Sequence, residues 1–182
     1  DGQIEHLLDM AAEFGQPQWR FGMPTYAFIS ADELACTYIQ NGLSRLAIMD
    51  LNTCQLEELE TPYDEIRPLC YSAGRLLFGA ASPVEFKSIV ELRLDSRQRS
   101  VFKRSNDLTL DEGYLTKPQP IEFPTEGGLT AHAFFYPPKN KDYQAPFGEK
   151  PPLIVFTHGG PTGMTTATLR PDIQYWTSRG FS

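Results

Sequence analysis

The sequence predicts a mixed fold: C-terminal blades of a β-propeller, all β, followed by the first strands and helix of a doubly wound α/β sheet. Three observations predict it. A pattern of short strands and turns recurs after 43 residues, with Leu34 matching Leu77 and Leu51 matching Leu94. Farther on, an apolar run at 153–157 ends abruptly in His158-Gly159-Gly160-Pro161. A helical pattern follows, and then the start of another strand.

Taken in order, residues 4–9 read as the end of a preceding blade, and residues 13–22 as a loop entering a strand. Residues 21–30 are the innermost strand of the first full unit. That unit continues with Leu-Ala-Cys-Thr-Tyr-Ile from Leu34, a turn at Gly42, residues 46–51, a turn at Asn52-Thr53, and residues 55–60. The second unit has an innermost strand at 68–72, then residues 76–81, a break at Ser82-Pro83, residues 89–94, a turn at Asp95-Ser96, and residues 100–103. Four short strands per unit at this period are the mark of propeller blades. Both third strands leave through residues whose side chains bond their own backbone, Asn-Thr in one unit and Asp-Ser in the other. Two blades cannot bury both faces of their sheets. Together with a start lacking Met, this predicts that residues 1–115 are the last blades of an incomplete propeller, within a longer protein.

Residues 116–120, Thr-Lys-Pro-Gln-Pro, read as a stiff linker. The third part, 121–182, opens with two strands at 121–125 and 129–136, joined at Glu126-Gly127-Gly128. Pro124 confines the first to a sheet edge. Residues 153–157 are long enough for a strand buried on both faces and too short for a helix. Leu169, Ile173 and Trp176 then fall on one helical stripe, with Pro171 in the first turn and Gly180 just past the end. Phe181-Ser182 begins the next strand. Strand, turn, helix, strand is one crossover of a doubly wound sheet.

Composition excludes several function classes. The net charge of −7, without a Lys/Arg cluster, argues against nucleic acid as a partner. No apolar run approaches 18 residues, so no helical membrane span is expected. The stretch 4–12 has no basic region before it and does not read as a signal peptide. Cys36, Cys54 and Cys70 lack metal-ligand spacing and read as reduced thiols of a cytoplasmic protein. Neither a metal nor a cofactor is implied.

Chemistry is carried by the glycine turn. Paired glycines after a strand let amide N–H groups point at a ligand, and in a serine hydrolase such a turn supplies one donor to the oxyanion hole. The alternative is a strand-exit turn with no chemistry. No Gly-x-Ser-x-Gly elbow occurs among the serines, so no catalytic residue is expected in this chain. His132 alternates on a strand with Phe134 and is expected to be structural.

His-Gly-Gly-Pro, followed by Tyr175-Trp176-x-x-Arg179-Gly180-Phe181, resembles the prolyl oligopeptidase family of serine peptidases, in its acylaminoacyl-peptidase and dipeptidyl-peptidase-like branch. The resemblance implies a propeller ahead of an α/β-hydrolase domain, here cut before the nucleophile, with Ser, Asp and His all beyond Ser182. It implies that the Gly160 N–H is an oxyanion donor and that His158, Gly159 and Pro161 brace the turn. The implied parent hydrolyses oligopeptides through an acyl-enzyme, while this piece is inactive. Two rivals stand beside it: a carboxylesterase, whose turn usually reads His-Gly-Gly-Gly, and a non-catalytic propeller scaffold. Unpaired strand edges predict that the isolated chain self-associates, as a homo-oligomer or otherwise.

Overall fold

The computed structural model describes every residue except Asp1, Gln3, Gln18, Arg20 and Pro161. Its first part is two antiparallel four-stranded meanders. One contains β1 (Tyr26–Phe28), β2 (Glu33–Gln40), β3 (Leu43–Asp50) and β4 (Leu56–Leu59), side by side in chain order. The other contains β5 (Glu65–Ser72), β6 (Arg75–Ala81), β7 (Ser88–Arg93) and β8 (Arg99–Arg104), in the same arrangement. These are propeller-type sheets, and the 43-residue repeat is physical. Met49 pairs with Leu56 as Leu92 pairs with Arg99, each 43 residues on. The turns between those strands repeat as well: Cys54 and Arg97, again 43 apart, both take positive φ, at 56°.

Alternation along the strands builds the core. Ala35, Leu46 and Leu59 of the first sheet meet Ile66, Leu69, Leu76, Phe78, Val90 and Leu92 of the second in one buried cluster. Tyr63 closes it edge-on against Phe78, with ring centroids 6.4 Å apart. The first sheet is buried on its other face too, where Cys36, Tyr38 and Ala47 carry Met10, Ala12 and Phe14. Residues 4–9 form no strand; the covering is done by residues 10–14, held by a single antiparallel bridge between Glu13 and Ile39. The innermost strand expected over 21–30 is only the three residues of β1. All of β8 is exposed, and Phe102 stands out where its pairing with β7 slips by one residue.

The last part is looser. β9 (Gln119–Pro124) and β10 (Thr130–Phe135) form an antiparallel hairpin turning through Glu126–Gly128, where Gly127 and Gly128 take positive φ. Pro124 lies at the end of β9, opposite Thr130, as an edge proline should. Of the stretch read as a linker, Thr116 is buried and Gln119 and Pro120 belong to β9. The hairpin comes close to the first sheet at Gly42: a Cβ there, at φ +78°, would sit 3.0 Å from the Phe134 ring.

Helix α1 (Pro171–Thr177) starts on Pro171 and ends as the sequence indicates. Gly180, at φ +90°, lets its own N–H bond the Thr177 carbonyl and the Phe181 N–H bond the Trp176 carbonyl. The Phe181 ring packs on Trp176 at 5.1 Å, the apolar contact that accompanies this kind of helix stop. The buried face differs from the expected stripe. Leu169 is buried, but Trp176 is partly exposed, and the helix turns Gln174 and Thr177 inward instead. Polar residues face in because their partners are backbone groups: Gln174 bonds Thr116 of the connector, and the Thr177 hydroxyl donates to the Ile173 carbonyl of its own helix.

Candidate functional site

The glycine turn stands on residues 151–157. The Ser182 N–H donates to the Pro152 carbonyl and the Ile154 N–H to the Ser182 carbonyl, both at 2.9 Å. Two bonds straddling Leu153 in this sense are the repeat of a parallel ladder. The chain therefore leaves residues 153–157, passes through the turn and α1, and returns parallel to where it began. The expected burial is absent. Leu153 is 66% exposed and Val155 72%, and residues 153–157 form no regular strand. Among the described residues only Leu153 has a ladder partner; within the run only Ile154 is partly buried, and the Arg170 guanidinium lies 5.6 Å from the centre of the Phe156 ring. The apolar run expresses a tendency to be buried that these residues do not satisfy.

Within the turn, Gly160 takes φ +80°, a conformation glycine adopts at little cost. The bond closing the turn runs from the Gly163 N–H to the Gly160 carbonyl at 3.5 Å, and no bond among the described residues takes up the Gly160 N–H. His158 Nδ1 lies 3.5 Å from the carbonyl of adjacent Gly159, at the limit of a hydrogen bond, and its side chain is exposed. Gly159 has open space where a Cβ would be. Pro161 lies outside the described residues. Gly163 closes the turn instead: a Cβ there would fall 2.8 Å from the Gly159 carbonyl oxygen and 3.2 Å from His158 Nδ1. Sequence reasoning passed over Gly163, although a third glycine within five residues was the available signal.

The turn faces the first part across a cleft of about 500 Å³, whose lining includes Thr162, Gly163 and Met164 on one side and Glu13, Trp19 and Arg67 on the other. Arg67 is held from behind, its Nε on Glu65 and its Nη1 on Gln16, each at 3.1 Å. No serine hydroxyl among the described residues bonds a histidine. His132 sits exposed on β10 opposite Glu122. No cluster of three or more His, Cys, Asp or Glu side chains that could hold a metal occurs among the described residues. No described helix is long and apolar enough to cross a membrane. The three cysteines are free, and burial pushes the Cys36 thiol up to about 11.

No protein-family model matches the chain, and no curated protein matches it in sequence. Solved structures do. A Mycobacterium tuberculosis puromycin-hydrolyzing peptidase is 31% identical with a TM-score of 0.90, over 96% of this chain and 27% of its own. A puromycin hydrolase is likewise 31% identical, with a TM-score of 0.87, over 99% of this chain and 27% of its own. The chain resembles the prolyl oligopeptidase family. Within that family, an acylaminoacyl peptidase of Pyrococcus horikoshii shares the fold at 21% identity and a TM-score of 0.60. The chain spans about a quarter of the length of these peptidases.

Proposed function

We propose that these residues are the propeller end and the hydrolase-domain start of a serine-type peptidase that cleaves oligopeptides through an acyl-enzyme. The Gly160 N–H serves as one of two oxyanion donors. The serine nucleophile, its histidine base and the orienting aspartate stand elsewhere in the protein, so the 182 residues alone turn over nothing. The observation that carries this reading is the 31% identity to two puromycin-cleaving enzymes over nearly the whole chain. The parallel bonding around Leu153 and the unengaged Gly160 N–H support it. In open α/β sheets, ligands bind outside the carboxyl ends of strands, where this turn lies. Pro161 after the glycines favours a peptidase over a carboxylesterase, and three free thiols suit a cytoplasmic setting.

In mechanism, serine attack on a peptide carbonyl moves negative charge onto the carbonyl oxygen. A fixed amide N–H about 3 Å from that position stabilises the tetrahedral intermediate without reorganising. The acyl group passes to serine, the amine leaves with a proton from histidine, and water regenerates the enzyme.

The test is turnover of puromycin, a chromogenic peptide and a simple ester. The protein that contains these residues together with a serine elbow is expected to cleave the first two. Its Gly160→Ala variant strains φ, tilts the amide, and should lower kcat about a hundred- to a thousandfold. Turnover by the 182 residues alone, ester cleavage only, or an unaffected Gly160→Ala variant each overturns the reading.

A further inference from the structure

Gln174 is a polar side chain that the proposed chemistry does not use, yet it is only 7% exposed. Its Oε1 accepts from the Thr116 N–H at 2.8 Å and its Nε2 donates to the Thr116 carbonyl at 3.0 Å. One amide side chain thus satisfies both backbone groups of a residue 58 positions away that is itself buried. The same short connector is tied twice more to the C-terminal part. Lys141 pairs with Asp111, and the Tyr114 hydroxyl donates to Asp142. The loop carrying Lys141 and Asp142 is in turn fixed to the end of α1. The Lys139 N–H bonds the Thr177 carbonyl at 3.1 Å, and Asn140 Nδ2 bonds the Ser178 carbonyl at 2.7 Å. Just upstream the picture changes. Residues 106–109 are exposed, and the one bond they make among the described residues is local, from the Leu108 N–H to Asn106 Oδ1.

We infer that Gln174 is a latch. It makes residues 111–116 part of the C-terminal body and registers α1 against them, so the chain flexes between its two parts at 106–110 and not at the proline-rich 117–120. Because the chain runs from the glycine turn through residues 164–170 into α1, Gln174 becomes a positioning residue for Gly160, a consequence that rests on the peptidase reading. The latch itself does not. Its strength lies in paired hydrogen bonds rather than volume, since a buried peptide group deprived of partners loses protection against exchange and opening.

The test compares Gln174→Met, which keeps the volume and loses both bonds, with Gln174→Ala. Hydrogen exchange on the 182-residue chain is expected to speed up about tenfold or more at the Thr116 amide in both variants, with the Val90 amide in the second sheet unchanged. Chymotrypsin is expected to cut the parent chain after Leu108 or Leu110, and to cut after Tyr114 or Leu115 only in the variants. A Gln174→Met chain that protects Thr116 like the parent would reduce Gln174 to filler and overturn the latch. So would faster exchange spread evenly over Thr116 and Val90, or cleavage of the parent first within 114–118. In the complete peptidase, Gln174→Met is then expected to lower kcat about tenfold with KM held. If the exchange result appears and that protein cleaves no peptide, the latch stands and the peptidase reading falls.

Discussion

The two parts of this chain are held by different physics. The paired sheets over residues 26–104 share one continuous apolar cluster, filled from both sides by strands adjacent in chain and space. The part from Asp111 onward has almost no apolar interior. It is assembled from individual hydrogen bonds, Gln174 on Thr116, Asn140 on Ser178 and Lys141 on Asp111, and is tied to the first part by the Leu169 N–H on the Ser82 carbonyl at 2.8 Å. Repetition buries area, which is non-directional and forgiving. Individual hydrogen bonds fix direction and tolerate little change.

The largest expected effect tests that contrast directly. Phe78, 2% exposed at the centre of the cluster, should cost about 3–5 kcal/mol when cut to Ala, because the cavity lies between two sheets that cannot both close on it. Leu153→Ala, equally apolar by sequence, should change stability by less than about 0.5 kcal/mol in the isolated chain. Urea unfolding of the two variants gives the comparison. A large loss at Leu153 would mean that residues 153–157 are buried after all.

Next comes the seam between the parts. Gly42→Ala meets two penalties, a left-handed φ and the Phe134 ring in the space the methyl needs. The φ alone costs about 1–2 kcal/mol. Gly42→Ala with Phe134→Leu separates the two, since the smaller side chain can relieve only the clash. If the double variant recovers nothing, the hairpin of β9 and β10 does not lean on the first sheet.

Gly180→Ala should cost about 1–2 kcal/mol, from φ alone, because nothing lies within 4 Å of its missing Cβ. The loss is expected to loosen α1 and leave the sheets intact. Exchange at α1 amides, read against Val90, checks it.

These contrasts explain what the sequence made legible. The 43-residue recurrence exposed the sheets because each strand packs on neighbours of its own kind, so local pattern and tertiary need coincide. Gly127, Gly128 and Gly180 were readable for a similar reason: positive φ is a local demand. Residues 153–157 misled because an apolar run reports what a strand seeks, not what is present to cover it. Gln174 and Thr116 were invisible because a polar residue buried against distant backbone leaves no period. For the site, the glycine turn was legible and its closure by Gly163 was not, since that contact depends on where His158 and the Gly159 carbonyl fold back.

The smallest expected effect distinguishes the parts by acid. The Lys141 bond holds the Asp111 carboxyl below its ordinary 3.8, and the Arg170 bond does the same for Asp172. A carboxylate with a depressed folded value stabilises above the unfolded value and loses that contribution as pH falls through the folded one. The ties around residues 111–116 and the start of α1 should therefore weaken below pH 3.8. In the sheets, the Thr53 N–H lowers Asp50 and the Arg93 guanidinium lowers Asp95 in the same sense, but burial raises Asp64, which binds its proton more tightly folded than unfolded and so opposes the loss. Acid should thus release the C-terminal part first. Exchange at Thr116 is expected to accelerate before exchange at Val90 as pH is lowered, after correction for the intrinsic pH dependence of amide exchange. Because both carboxylates are solvent-accessible and screened, the separation should shrink in high salt. Simultaneous release at every salt concentration would show that the two parts share one cooperative core, contrary to the division drawn at 106–110.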